Sequence, residues 1–305
     1  GDRWRGSEGI LSAWDAWVEK GELSNHFAKK FAQLTRADQP AHAVIATLSQ
    51  WATEAGCNRV ALALPAELAQ LPWEAFAPAA LTLTRVVNLT GWRDARDPPP
   101  VTNPPTFVAY SPEAGYGVEQ AKTASDYWPN TQPVKSTAAF DIMAGLHTRT
   151  HSHLILHGHY QPLDPRASYL EVGDSERVFA WCLAALKPHG HFGLAACQAG
   201  LHGRAAVHWL GSVGLGPALV AAGARRVIAP LWRCDAVATW LFHQLLYEAA
   251  ASQPTQSWSW LLTQARTGLR ELSLDEVKKR LGRRYREADF DDSVFANRTT
   301  GRASS

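Results

Sequence analysis

Between residues 8 and 56, apolar side chains recur at spacings of three and four: Ile10, Leu11, Trp14 and Trp17, then Phe27, Phe31 and Leu34, then Val44, Leu48 and Trp51. That period puts them on one helical face and predicts a helical N-terminal segment. From residue 59 the pattern changes. RVALALP (59–65) and LTLTRVVN (81–88) are short runs rich in branched residues and read as strands. AELAQLPWEAF, between them, reads as a loop and a helical turn. DPPPVTNPP (97–105) holds five prolines, so it is neither helix nor central strand but a loop or a join.

Beyond the prolines the pattern alternates. TFVAYS (106–111), HLILH (153–157), HFGLAAC (191–197) and RRVIAPLW (225–232) read as strands, and ASYLEVGD as a short strand and turn. EQAKTASDYW, FDIMAGLH, RVFAWCLAAL (177–186), VGLGPALVAAGA and DAVATWLFHQLLYEAA read as helices, with two more near 257–270 and 273–287 and a polar tail from Asp289. Strands alternating with helices predict an α/β fold, a mostly parallel sheet covered on both faces.

Composition narrows the function classes. Hydrophobic residues make up 46% and charged residues 19% of 305 residues, enough for a sizeable core. A net charge of +2 leaves no footprint for nucleic acid or an anionic membrane. The densest basic group, Lys278, Lys279, Arg280, Arg283 and Arg284, reads as a solvated helix face. No apolar run reaches the ~18 residues of a membrane span, and no secretory signal is visible. Four scattered cysteines without CxxC spacing suggest neither a zinc framework nor a disulfide scaffold and fit a reducing cytoplasm.

In open α/β sheets, functional groups collect at the carboxyl ends of strands. Here HLILH ends in His157-Gly158, HFGLAAC in Cys197, and RRVIAPLW runs into Arg233-Cys234-Asp235. If those strands are neighbours, His157 and Cys197 emerge at one edge. An imidazole beside a thiol can take its proton and make a nucleophile at neutral pH. Gly158 lets the backbone approach a substrate, and its N–H with that of Cys197 could hold an oxyanion. Ala195, Ala196, Ala199 and Gly200 leave room for a peptide. Other readings stand beside this one. Cys197 could be a small buried hydrophobe. His151, His153, His157 and His159 alternate as metal ligands on one strand face would, though without an acidic partner. Ala-Ala-Cys-Gln-Ala could replace the elbow of an α/β-hydrolase, with the mid-helix His243 as base.

Four segments resemble the CHAT domain, a caspase-like peptidase domain of the group that includes caspases, separase and gingipain. They are LAQLPWEAF, HLILHGHYQPLDPRASYLEV, HFGLAACQAG and GLGPALVAAGARRVIAPLW, in the family's order, with histidine before cysteine. The resemblance spans roughly residues 58–275. It implies a caspase-like αβα sandwich over 57–288, with an N-terminal helical extension over 1–56 and a tail over 289–305. It also implies a cysteine endopeptidase without metal or organic cofactor: Cys197 as nucleophile, His157 as base and then acid, and backbone N–H groups of Gly158 and Cys197 for the oxyanion. Ala195, Trp232, Arg233 and Asp235 become substrate-pocket candidates, while His153 and His159 are left as strand-packing and rim residues. Partners implied are a protein substrate, such as a gasdermin-like or signalling protein in bacterial defence, and a sensor or TPR-type regulatory module joined through residues 1–56. The sequence departs from the family where LWRCDA puts Asp235 one position early, which weakens a basic cleavage preference. Ala195 stands where caspases carry Gln, which weakens a strict Asp preference. A catalytically silent binding domain and a small-molecule thiol hydrolase are the alternative functions.

Overall fold

The computed structural model describes residues 40–64, 66–69, 73–78, 80–86, 106–128, 130–136, 138–149, 151–161, 163–173, 175–186, 190–201 and 214–282. The helical pattern over 8–39, the proline run at 97–105 and the tail from 289 lie outside the described residues.

Helix α1 (Pro40–Glu54) leads into strand β1 (Arg59–Ala63), the single turns α2 (Ala66–Ala69) and α3 (Trp73–Phe76), and strand β2 (Thr82–Val86). β1 and β2 pair in parallel. Ile45 and Ala52 of α1 meet Leu62, Leu83, Trp73 and Phe76 in a small core of their own. Next come β3 (Thr106–Tyr110), α4 (Gly117–Tyr127), β4 (Val134–Lys135), α5 (Ala139–Thr148), β5 (His151–Ile155), β6 (His157–His159), β7 (Tyr169–Val172), β8 (Glu176–Phe179) and α6 (Ala180–Ala185). β9 (His191–Ala195), α7 (Leu215–Ala221), β10 (Arg226–Ile228), α8 (Ala236–Ser252), α9 (Trp258–Glu271) and α10 (Leu274–Leu281) complete the order.

The central sheet runs β10-β9-β5-β3-β4, parallel throughout. Successive residues of its strands serve opposite faces. Ala109, Leu154, Phe192 and Leu194 face Ile142, Leu146, Leu183, Leu215 and Leu219 from α5, α6 and α7. Val108, Ile155 and Ala195 face Ala121, Ala124, Leu246, Ala250, Leu261 and Ala265 from α4, α8 and α9. This is the expected parallel sheet covered on both sides, and no helix among the described residues is long and apolar enough to cross a membrane.

The local readings differ in three places. HLILH is not one strand: β5 stops at Ile155, and His157 begins β6, which joins β7 and β8 in a separate antiparallel sheet. RVFAWCLAAL is helix only from Ala180, because Arg177 and Val178 pair with Glu171 and Leu170 of β7. Tertiary pairing there overrides a helical period. RRVIAPLW is strand only to Ile228. Pro230 cannot donate to a ladder, and its carbonyl and that of Trp232 instead receive N–H groups from the turn after β9.

One layer of the core is polar. His151 and His153 of β5 lie on the α8 side, with His191 of β9 opposite His151 and Gly193 opposite His153. His153 is 1% exposed, and its Nδ1 is hydrogen-bonded to the Tyr247 hydroxyl of α8. The His243 ring meets it edge-on at 4.6 Å, and His151 stacks on His191 at 4.8 Å. Gly193 is needed beneath His153, because a Cβ there would come within 2.8 Å of Nδ1. His153 Nε2 is buried without a protein hydrogen-bond partner, and His243 is buried beside it, so charging either ring would strand a cation in the core. Burial accordingly lowers the pKa of His151 and His243 to about 4 and that of His153 well below its ordinary value.

Depressed histidine pKa values stabilise the fold fully above about pH 6.5, the unfolded value, and that stability is lost as pH falls towards 4. Urea titrations should show stability dropping across this window, by on the order of 3 kcal/mol for each of His151 and His243. His243→Gln should flatten the slope, and an unchanged slope would count against this layer. Asp235 caps α8 by accepting from Ala238 N–H at 2.8 Å. Asp235→Ala should therefore cost about 1 kcal/mol in the same titration at pH 7.

Candidate active site

β5 and β9 run side by side in register, from His151 opposite His191 to Ile155 opposite Ala195. His157 and Cys197 each lie two residues beyond that last rung. The two chains then part. Leu156 stays in the core, and His157 opens β6, pairing with Glu171 of β7. After β9 the chain tightens into a turn. Gln198 takes a left-handed conformation at φ 58°, unusual for a residue with a Cβ. The turn is held from outside: Gln198 N–H donates to the Trp232 carbonyl at 3.0 Å and Gly200 N–H to the Pro230 carbonyl at 2.8 Å.

Gly158 closes the gap between the two strand ends. A Cβ on it would collide with the Cys197 carbonyl oxygen and crowd the Ala196 Cβ at 3.1 Å. The backbone after His157 therefore lies directly against that of Cys197, and any larger residue would push them apart. Both reactive residues are half-buried. Cys197 Sγ lies 4.0 Å from the Cys234 carbonyl oxygen. The Cys234 thiol is pushed up to about 12, first by burial and then by the Cys197 charge.

A carboxylate that sequence reasoning did not single out also reaches this edge. Glu113 follows β3, in the loop tied to β5 by Ser111 N–H donating to the Ile155 carbonyl at 2.9 Å. The Ser111 hydroxyl donates to Glu113 Oε2 at 2.7 Å. That bond first, then the Glu113 backbone N–H and the nearby Lys135 and His157, hold the Glu113 carboxyl below its ordinary value. Nothing in the local sequence marks it, because its approach to His157 depends on β3 pairing with β5.

The remaining candidates are spread around the site. Trp232 is half-buried and receives the Gln198 N–H, Arg233 is exposed, and the Asp235 carboxylate caps α8. Ala195 is 9% exposed and packs with Val108 and Ile155 beneath the strand ends. His159 pairs with Glu171 at 2.8 Å and stacks on Tyr169 at the rim. The four alternating histidines do not share a face. His151 and His153 are in the core, while His157 and His159 belong to the second sheet, and among the described residues no three His, Cys, Asp or Glu side chains converge as a metal would require. His243 points from the middle of α8 into the histidine layer.

Comparison with known proteins agrees with this architecture. None of the curated proteins matches the chain. Among solved structures, the Arg-specific cysteine proteinase gingipain R is similar in fold, with a TM-score of 0.53 and 12% identity over 81% of this chain and 67% of that one. The CHAT domain family model matches residues 130–293, which hold the His157, Cys197 and Leu231-Trp232 segments, while LAQLPWEAF precedes it. With more than half its length matched, and with a histidine and a cysteine at adjacent ends of a caspase-like parallel sheet, the chain belongs to the CHAT domain family.

Proposed function

We propose that this protein is a cysteine endopeptidase working through a His157–Cys197 dyad. The observation that carries the reading is the placement of both residues two steps beyond one rung of β5 and β9, with Gly158 pressed against the Cys197 carbonyl. His157 takes the Cys197 proton, and the thiolate attacks a peptide carbonyl. Backbone N–H groups of Gly158 and Cys197 receive the oxyanion. His157 then protonates the leaving amine, and water, activated by the same imidazole, hydrolyses the thioester.

The substrate in this reading is a segment of a protein partner, of the gasdermin-like or signalling kind that CHAT relatives suggest, in a bacterial defence or signalling setting within the cytoplasm. Residues 1–56 would join the peptidase to the sensor or TPR-type module that releases it. Trp232 and Arg233 border the turn that carries Cys197 and would meet the residue before the scissile bond. Asp235 is already engaged by the first turn of α8, which argues against a strong basic preference. A peptide-library cleavage profile would define that residue.

Cys197→Ala should abolish cleavage of the partner, and His157→Ala should lower kcat/KM by about 10²–10⁴-fold. Cleavage retained in the Cys197 variant would overturn the assignment. A peptide acyloxymethylketone should label the wild type at Cys197 and leave Cys197→Ala unlabelled. Gly158→Ala should lower kcat more than it raises KM, with circular dichroism unchanged, because its methyl displaces the base from the nucleophile.

A further inference from the structure

The structure holds a second sulfur beside the first, which the dyad does not use. The turn after β9 and the loop after β10 are stitched together by two hydrogen bonds, Gln198 N–H to the Trp232 carbonyl at 3.0 Å and Gly200 N–H to the Pro230 carbonyl at 2.8 Å. The stitching brings Cys197 Sγ to 4.0 Å from the main-chain oxygen of Cys234. Both residues are half-buried free thiols. The other two cysteines are elsewhere: Cys57 follows α1, and Cys182 packs on the α5–α7 side of the sheet.

We propose that Cys234 is the resolving thiol of a reversible oxidation of Cys197, closing a Cys197–Cys234 disulfide when the protein meets hydrogen peroxide. The inference rests on the reading of Cys197 as the reactive thiol. The Cys197 thiolate attacks one peroxide oxygen, the O–O bond breaks, and the departing hydroxide takes a proton to become water. Sulfur has then lost two electrons to peroxide and stands as a sulfenic acid. Cys234 sulfur attacks it, the S–O bond breaks, and the hydroxyl leaves with the Cys234 proton as a second water. Two thiols and one peroxide thus give one disulfide and two waters.

The division of labour between the sulfurs follows from their surroundings. Burial and the neighbouring Cys197 charge keep Cys234 protonated, so it is inert to peroxide until a sulfenic acid forms next to it. Closure asks the Cys234 thiol to leave the Trp232 carbonyl, 3.6 Å away, and turn to Cys197 within loops already hydrogen-bonded to each other; a disulfide spans Cα atoms about 4.4–6.8 Å apart. The product has no nucleophile, yet it is shielded from the irreversible sulfinic and sulfonic steps. A dithiol would restore it.

The test treats the full chain with hydrogen peroxide, blocks remaining thiols with iodoacetamide, and maps digest peptides by fragmentation. Wild type should give a Cys197–Cys234 cross-linked pair lighter by two hydrogens. After dithiothreitol, iodoacetamide labelling of Cys197 should return. Cys234→Ala and Cys234→Val should keep the untreated labelling of Cys197 but lose that recovery, accumulating its sulfinic acid. Sulfinic acid at Cys197 in wild type without the cross-link, or a bond to Cys57 or Cys182 instead, would overturn the proposal. Because the readout is mass and labelling, a chain that cross-links but cleaves no peptide would refute the peptidase reading and leave this one standing.

Discussion

The parallel pairing of β5 with β9 is the constraint on which the rest depends. Five consecutive residues of one strand face five of the other. A slip of one residue would turn every side chain to the opposite face. Leu154, Phe192 and Leu194 would then leave one core while Ile155 and Ala195 left the other, so the apolar faces above and below the sheet enforce a single register. That register sets the common origin from which His157 and Cys197 are placed.

The histidine layer sharpens the same constraint at the other end of the strands. Polar rings in a core add little net stability, because their desolvation must be offset by the bonds they make. They do discriminate between arrangements. Tyr247 and His153 can share a hydrogen bond, and His153 can sit over Gly193, only when α8, β5 and β9 hold their observed relation. Tyr247 in turn stacks on Tyr127 of α4 at 5.1 Å, which ties α4 as well as α8 to the layer.

Much of this was legible in the sequence, and the failures have a common cause. The α/β alternation, the long helix α8 and the order of histidine before cysteine follow from hydrophobic period and motif, which are local properties. The break at Leu156, the strand β8 hidden in a helical period and the two-residue strand β4 depend on pairing with other strands, which the period of their own residues does not carry. His153 and His157 look equivalent in HLILHGHY, since alternate residues of one strand share a face. The chain changes sheets between them, so one is a core residue and the other stands at the site. The place of Glu113 and the approach of Cys197 to the Cys234 main chain are illegible for a related reason. Each arises where two loops meet at a common strand edge, and single-chain spacing carries no trace of that meeting.

The equal spans from the last shared rung to His157 and to Cys197 bear on how such a domain can change over time. Insertions in the loops around this edge alter what surrounds the site. An insertion between Ile155 and His157, or between Ala195 and Cys197, alters the site itself, because each span fixes the reach of one partner towards the other. Lengthening one short span without the other would shift His157 relative to Cys197 while leaving the β5–β9 register intact.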